Sequence, residues 1–160
     1  LDAGYRDAWF ASGNEPSFQT PWIYNWVQRP HKTQKVVNRI LNEQYSSAID
    51  GLPGNDDLGT MGAWYVFACL GLYPEIPGIG GFAVNTPIFT RAVLHLPKGD
   101  LTITGGSEKD IYIKDMHLNG KPYASTWIEW DDVSEGGTIE YKVSAKPTTW
   151  GQSVLPPSYE

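Results

Sequence analysis

The sequence predicts an α+β protein, with helices in the first half of the chain and a small antiparallel β sandwich or sheet in the second. Two observations support this fold class. Apolar residues recur at helical spacing before residue 80, and short apolar runs bounded by turn residues follow after it. The pattern changes at Gly78-Ile79-Gly80-Gly81. We therefore predict a helical region over 1–80, a β region over 81–151 and a flexible tail over 152–160.

The strongest helical signal lies between His31 and Tyr45, where apolar residues repeat on one face and Pro30 stands just ahead. Asn14-Glu15-Pro16 is typical of a helix start, and this helix would run to Trp26. A third helix is expected to begin at Asp56-Asp57 and to stop before a glycine. It is apolar nearly all round and needs neighbours on most sides. The predicted helices are 14–26, 31–45 and 56–70.

The second half contains short runs separated by turn residues, with a spacing of about ten residues that is typical of antiparallel sheets. Asn119-Gly120 is a strong signal for a two-residue hairpin. The predicted strands are 81–84, 92–96, 101–104, 111–114, 116–118, 127–130 and 139–144.

Composition excludes several functions. The 160 residues carry a net charge of −6 and a pI near 5.0, with no long basic run, so nucleic acid and anionic membrane are poor candidate partners. No apolar stretch is long enough for a transmembrane span. The lone Cys69 excludes an intrachain disulfide. No targeting signal is visible in the residues that follow Leu1. We expect the chain to be a piece of a longer protein.

The run Asp50–Gly59 places two adjacent carboxylates, Asp56 and Asp57, after a turn rich in glycine and proline. An aspartate is a favoured helix cap, which explains one of the two. Adjacent like charges in a partly buried place raise one pKa or require a cation. The spacing alone leaves both interpretations open, a cap with a turn or a chemical site.

A second run, Ser12–Thr20, contains Asn14 and Glu15. These two residues are either a helix-capping pair or a set of oxygen donors suited to a hard cation or to sugar hydroxyls. The spacing of a calcium-binding EF-hand loop is absent.

Aromatic residues make up 13% of the chain, including 7 Trp and 9 Tyr. Flat aromatic faces suit sugar rings, although most aromatic residues are simply core. The runs around Trp22 and Trp64 favour core packing. A non-catalytic carbohydrate-binding or structural module, with Trp127, Trp130 and Trp150 as a stacking face, is the alternative function. The period of a strand opposes it, because Trp127 and Trp130 would point to opposite faces.

Several segments resemble, in order, the C-terminal part of the calcium-dependent exo-α-mannosidases of glycoside hydrolase family 92. These segments are Gly13–Ser17, Pro21–Asn25, Lys32–Gln34, Gly51–Phe67 and Gly71–Pro74. The resemblance implies that residues 1–80 are the C-terminal helices of an (α/α)6 catalytic barrel. It also implies an inverting hydrolase that removes terminal α-linked mannose from N-glycans or mannans, in a secreted, periplasmic or cell-surface location.

The resemblance also implies roles for particular residues. It assigns the general base to Asp57 first, with Asp56 as its partner or alternative. It places Glu15, Asn55 and Trp64 near the substrate, and it makes Asn14 and Glu15 ligands of Ca²⁺, which holds and distorts the mannose through two hydroxyls.

No segment here matches the family's general-acid region. The expected partner is therefore the missing N-terminal portion of the same enzyme, and we expect this chain to be inactive alone. Many members of the family also follow Glu-Pro-Ser with two histidines, whereas Phe18-Gln19 stands here.

Overall fold

Helix α2, Pro30–Glu43, is the longest helix in the computed structural model, which describes residues 10–158. Val36, Val37, Ile40 and Leu41 form its buried face, as the spacing of apolar residues predicted. Pro30 occupies the start of the helix, where a missing N–H group costs nothing. The predicted helix is therefore confirmed, and it ends two residues earlier than expected.

The continuous helix predicted over 14–26 is wrong. Two single 3₁₀ turns, Glu15–Ser17 and Thr20–Trp22, lead into a one-turn helix α1, Ile23–Trp26. Pro16 and Pro21 each lie in the first turn of a 3₁₀ segment. Because proline lacks the N–H group that a helix interior needs, the segment breaks into short turns.

Helix α3, Thr60–Leu70, starts four residues after Asp56 and ends at Gly71, whose φ is +81°. The later start follows from the backbone, because Asp57, Leu58 and Gly59 all have positive φ values. Met61, Trp64, Ala68 and Cys69 form its buried face. Val66 is 56% exposed, so the expected burial on most sides is not reached among the described residues.

The described strands form two sheets. The strands are β1 Leu72–Tyr73, β2 Gly81–Val84, β3 Arg91–Leu96, β4 Gly99–Thr104, β5 Tyr112–Leu118, β6 Lys121–Pro122, β7 Trp127–Glu129 and β8 Gly137–Ser144. A three-stranded sheet has the order β1-β2-β7 and a five-stranded sheet has the order β3-β4-β8-β5-β6.

Most strand predictions are confirmed to within two residues, with three differences. The runs 111–114 and 116–118 form the single strand β5, which is irregular between Ile113 and Asp115. The two-residue strands β1 and β6 were not predicted. The pairing of β4 with β8 is parallel, so the expectation of a purely antiparallel sheet is wrong. The Asn119-Gly120 hairpin is confirmed, with both residues at positive φ as the tight turn requires.

The small sheet lies between two clusters of buried apolar side chains. Tyr73, Ala83 and Trp127 belong to the cluster of the helices. Their neighbours Leu72, Val84 and Ile128 belong to the cluster of the large sheet. This division follows from the period of a strand, since successive side chains point to opposite faces. The helical region and the large sheet are thereby joined through the small one.

Residues 152–158 lie against the helical region rather than extending as a loose tail. The indole N–H of Trp26 donates to the Pro157 carbonyl at 2.9 Å, and the Gln28 amide donates to the Gln152 carbonyl at 2.9 Å. Residues 1–9 of the predicted helical region and 159–160 of the predicted tail lie outside the described residues.

Two expectations concern features larger than a helix or strand. Three helices do not make a barrel, so the (α/α)6 architecture is not visible in residues 10–158. None of the helices in this part of the chain has the length and apolar character needed to cross a membrane.

Candidate functional site

The two runs singled out in the sequence meet in the structure. A Cβ atom on Gly54 would lie 2.6 Å from the carbonyl oxygen of Gly13, so only glycine permits this approach of the two backbones. Nearby, the Ser12 hydroxyl donates to the Gln44 side chain. The loop before the first 3₁₀ turn and the loop between α2 and α3 therefore form one unit.

Gly59 occupies the N-cap position of helix α3, and Asp56, three residues before it, supplies the side chain that caps the first turn. Its Oδ1 accepts the backbone N–H of Gly62 at 3.1 Å, and its carbonyl accepts the N–H of Met61 at 3.1 Å. These are N–H groups of the first turn, which have no partner within the helix. The carboxylate also lies at the positive end of the helix dipole. Asp56 thus fulfils the capping role that the sequence left open between two aspartates.

Asp57 lies beside Asp56 but serves a different purpose. Its carbonyl accepts the Thr60 hydroxyl at 2.6 Å, while its exposed side chain lies within hydrogen-bonding reach of the Glu15 carboxyl. The backbone at Asp57 is left-handed, with φ of +49°. Leu58, at φ of +60°, continues this strained conformation into Gly59. Strain of this kind is concentrated at functional sites.

The pKa of Asp57 is raised above its ordinary value. The hydrogen bond with Glu15 is the largest cause, followed by desolvation and by repulsion from the charges of Glu15 and Asp56. Two carboxyl groups in hydrogen-bonding contact share a proton or attract a cation. The structure brings the carboxyl groups of Glu15 and Asp57 together, and the roles assigned to the two residues stay predictions.

Asn14 and Asn55 lie on the same two loops, and both are exposed. The Asn14 side chain does not cap the 3₁₀ turn that follows it, so its amide oxygen remains available to a ligand. Asn14 therefore occupies the predicted N-cap position, and its carbonyl accepts the Ser17 N–H at 3.0 Å, but its side chain does not act as the cap. Asn55 immediately precedes the two aspartates, and its substrate contact stays a prediction.

Trp64 lies beneath the site, with only 4% of its surface exposed. Its indole N–H donates to the Phe18 carbonyl at 3.2 Å, which ties α3 to the loop that carries Glu15. The Tyr45 ring stacks on it at 5.7 Å with nearly parallel planes, which ties in the end of α2. This burial favours a supporting role for Trp64, and direct contact with a sugar stays a prediction.

Trp127, Trp130 and Trp150, the sugar-stacking face of the alternative function, do not form a flat platform on the β region. Trp127 is buried, and the indole N–H of Trp150 donates to the Tyr123 carbonyl at 3.0 Å. Trp130 is the most exposed of the three, at 43%. The three rings therefore do not offer one shared flat surface to a sugar chain.

The oxygen donors of the site suit a hard cation in type but not in number. Asn14, Glu15 and Asp57 offer amide and carboxylate oxygens, whereas Ca²⁺ takes six to eight oxygen ligands. Residues 10–158 contain no group of three or more histidine, cysteine, aspartate or glutamate side chains arranged to hold a metal. By type these residues would fit only part of the coordination shell of such an ion.

This fold and site define a class of protein. Residues 2–145 match the model of the glycosyl hydrolase family 92 catalytic domain, and the chain belongs to this family. It corresponds to the C-terminal portion of the family's longer proteins. Among curated relatives, a protein of Arthroderma benhamiae described as an uncharacterized secreted glycosidase is 33% identical over 154 residues. The match covers 91% of this chain and 20% of that protein.

Solved structures of the family share this fold. The α-mannosidase BT3965 from Bacteroides thetaiotaomicron, in complex with mannoimidazole, matches 92% of this chain and 20% of its own at 33% identity, with a TM-score of 0.88. The inverting mannosidase BT2199 of the same organism matches 91% of this chain and 21% of its own at 29% identity, with a TM-score of 0.84. The chain thus spans about a fifth of the length of these relatives.

Sequence reasoning missed two features, one in the candidate site and one outside it. The first is the left-handed stretch at Asp57–Gly59, for which Gly59 was the available signal. The second is Glu75, a buried carboxyl after β1 with no distinctive motif around it. The sequence does not show its burial because glutamate is an ordinary surface residue.

Proposed function

We propose that this chain supplies the general base and part of the mannose and calcium site of an inverting exo-α-mannosidase, which removes terminal α-linked mannose from N-glycans or mannans. The observation that carries the proposal is the division of labour between the two aspartates. Asp56 is engaged in capping α3, whereas Asp57 is exposed and lies beside Glu15. The similarity to α-mannosidases, one of them inverting, supports the reaction class.

In this mechanism Asp57 accepts a proton from the water that attacks the anomeric carbon of the sugar. Asp56 and α3 hold the backbone that presents Asp57. The indole N–H of Trp64 bonds the Phe18 carbonyl and so holds the loop that carries Glu15 close to the loop that carries Asp57.

Glu15 does not serve as the general acid in this proposal. An inverting pair lies about 6.5–9.5 Å apart, because a water molecule must fit between the base and the sugar. A Glu15 carboxyl within hydrogen-bonding reach of Asp57 is too close for that arrangement. The acid therefore comes from the portion of the enzyme outside this chain, and the chain alone is inactive.

Glu15 and Asn14 instead hold Ca²⁺ together with ligands from the rest of the enzyme and from the sugar. The bound ion would supply a positive charge for the sugar hydroxyls. Glu15 would hold the ion as a carboxylate, and Asp57 would then be free of its hydrogen bond with Glu15 and could accept a proton from water.

The enzyme acts outside the cytoplasm in this proposal, in a secreted, periplasmic or cell-surface location. The description of the Arthroderma benhamiae relative as secreted supports this location. The partners are then mannose-terminated glycans and the N-terminal portion of the same enzyme, with no nucleic acid and no membrane.

The experiment compares Asp57→Asn with Asp56→Asn in the full-length enzyme, using an α-mannoside substrate. We expect Asp57→Asn to lower kcat by about 10²–10⁴-fold, since that is the usual contribution of a general base. Asp56→Asn should retain most of the rate, because its amide oxygen still accepts the Gly62 N–H. Equal loss in both variants, or full activity of Asp57→Asn, would contradict the proposal. Mannan binding by this chain without hydrolysis by the full enzyme would favour the carbohydrate-binding module.

A further inference from the structure

A second unusual carboxyl lies outside the candidate site. Glu75 follows strand β1 in the segment Pro74–Pro77, and only 8% of its surface is exposed. Its Oε2 atom is buried and has no hydrogen-bond partner among residues 10–158. Burial alone raises the pKa of Glu75 to about 9. A buried carboxyl in this condition is costly, and native proteins satisfy nearly all such groups.

Glu75 lies in the wall of a cavity of about 350 Å³. The other walls are mostly apolar and include Ile23, Trp26, Ile76 and Pro77. Glu75 is the only ionisable side chain among the described residues that line the cavity. The cavity therefore has one ionisable group and, among the described residues that line it, no basic side chain to pair with it.

The cavity continues into exposed apolar surface. Ile23, in its wall, is 52% exposed, and Val27, directly after α1, is 57% exposed. Exposed apolar side chains that adjoin a cavity are typical of a surface that another element covers. The relatives are about five times as long as this chain, so most of such a protein lies outside residues 1–160.

We propose that this cavity is a docking site for the rest of the full-length protein, which inserts a lysine or arginine side chain that pairs with Glu75. Charge complementarity supports a cation, because an unpaired carboxyl is otherwise stranded in an apolar wall. The apolar stem of a long basic side chain suits the isoleucine and proline walls. The indole of Trp26 offers a further attraction for its positive head. A sugar fits the cavity less well, since it needs several polar partners.

This proposal depends on the chain being part of a longer protein and not on the roles of Asp57 or Glu15. The first test measures the thermal midpoint of the full-length protein with Glu75→Leu and with the matched control Glu108→Leu, at an exposed carboxyl. We expect Glu75→Leu to lower the midpoint by about 2 °C or more, because it strands a buried cation. An unchanged or higher midpoint would overturn the proposal, since leucine would then only remove an unpaired carboxyl.

A second test needs no variant and covers the case in which Glu75→Leu fails to fold. Hydroxyl-radical labelling of the native full-length protein, followed by mass spectrometry, reports the exposure of Ile23 and Trp26 relative to the unfolded protein. Strong protection of Ile23 supports docking. Labelling at the level of a half-exposed side chain, or protection of Trp26 that appears only when mannose is added, would overturn the proposal and indicate an open cavity or a sugar subsite.

Discussion

Asp56 and Asp57 are neighbours in the chain, yet the structure predicts opposite consequences for their substitution. Asp56→Ala removes the acceptor of the Gly62 N–H in the first turn of α3. Loss of such a cap costs about 1 kcal/mol of local stability. Asp57 makes no side-chain bond to the described helix, and its side chain bonds Glu15 on the opposite loop instead. Asp57→Asn should therefore leave α3 unchanged in stability.

The assay is amide hydrogen exchange of the full-length enzyme, read by mass spectrometry in the peptide that contains Gly62. A loss of about 1 kcal/mol corresponds to about fivefold faster exchange in the first turn of α3 for Asp56→Ala. Exchange in Asp57→Asn should match the wild type. The reasoning is refuted if Asp57→Asn accelerates exchange as much as Asp56→Ala, because both aspartates would then be caps.

Four further predictions follow from the described residues. In the isolated chain, the free energy of unfolding should fall as pH rises from the ordinary pKa of Glu75, near 4.5, towards about 9, because the folded state favours the protonated carboxyl. Chemical denaturation at several pH values measures this profile, and Glu75→Gln should flatten it. Asn85→Ala should lower the free energy of unfolding by about 2–4 kcal/mol in denaturant titrations, since the buried Asn85 amide bonds the end of α3 and the indole of Trp22. The control Asn42→Ala, at an exposed position, should lower it by less than about 0.5 kcal/mol. Leu58→Gly should be neutral or stabilise by up to about 1 kcal/mol through relief of its left-handed backbone, and clear destabilisation in the same titration would contradict this. A chelator should abolish the activity of the full-length enzyme, and Glu15→Gln should raise the calcium concentration that gives the half-maximal rate by about tenfold or more. A rate that does not depend on calcium would exclude a metal-binding role for Glu15.

The elements that the sequence predicted best are those with a complete local signal. Helix α2 combines a helical apolar period with a proline at its start, and both features can be read from neighbouring residues in the sequence. The hairpin at Asn119-Gly120 is similar, because these two residue types adopt positive φ readily.

The elements that were missed depend on distant partners. The two-residue strand β1 exists because it pairs with β2, and two residues carry no period of their own. The parallel pairing of β4 with β8 joins segments more than thirty residues apart, which no local pattern reports. The segment 14–26 had a correct start signal, but Pro16 and Pro21 outweighed it.

The residues of the candidate site were proposed from the sequence, but their arrangement was not. A family resemblance placed Glu15 and Asp57 in one hypothetical site. Their contact in the structure depends on the close approach of the backbones at Gly13 and Gly54, which only glycine at position 54 permits. The division between Asp56 and Asp57 depends on three successive left-handed residues. Backbone conformation of this kind depends on the surrounding fold, so two adjacent aspartates in a sequence remain equivalent until the structure separates them.

The central claim is that Asp57 activates water in an inverting reaction on α-linked mannose. The most direct test follows the first mannose released by the full-length enzyme with proton NMR, before its anomers equilibrate, in the wild type and in Asp57→Asn. The account predicts β-mannose as the first product of the wild type and almost no product from the variant. Release of α-mannose, or rapid release of either anomer by Asp57→Asn, would contradict it.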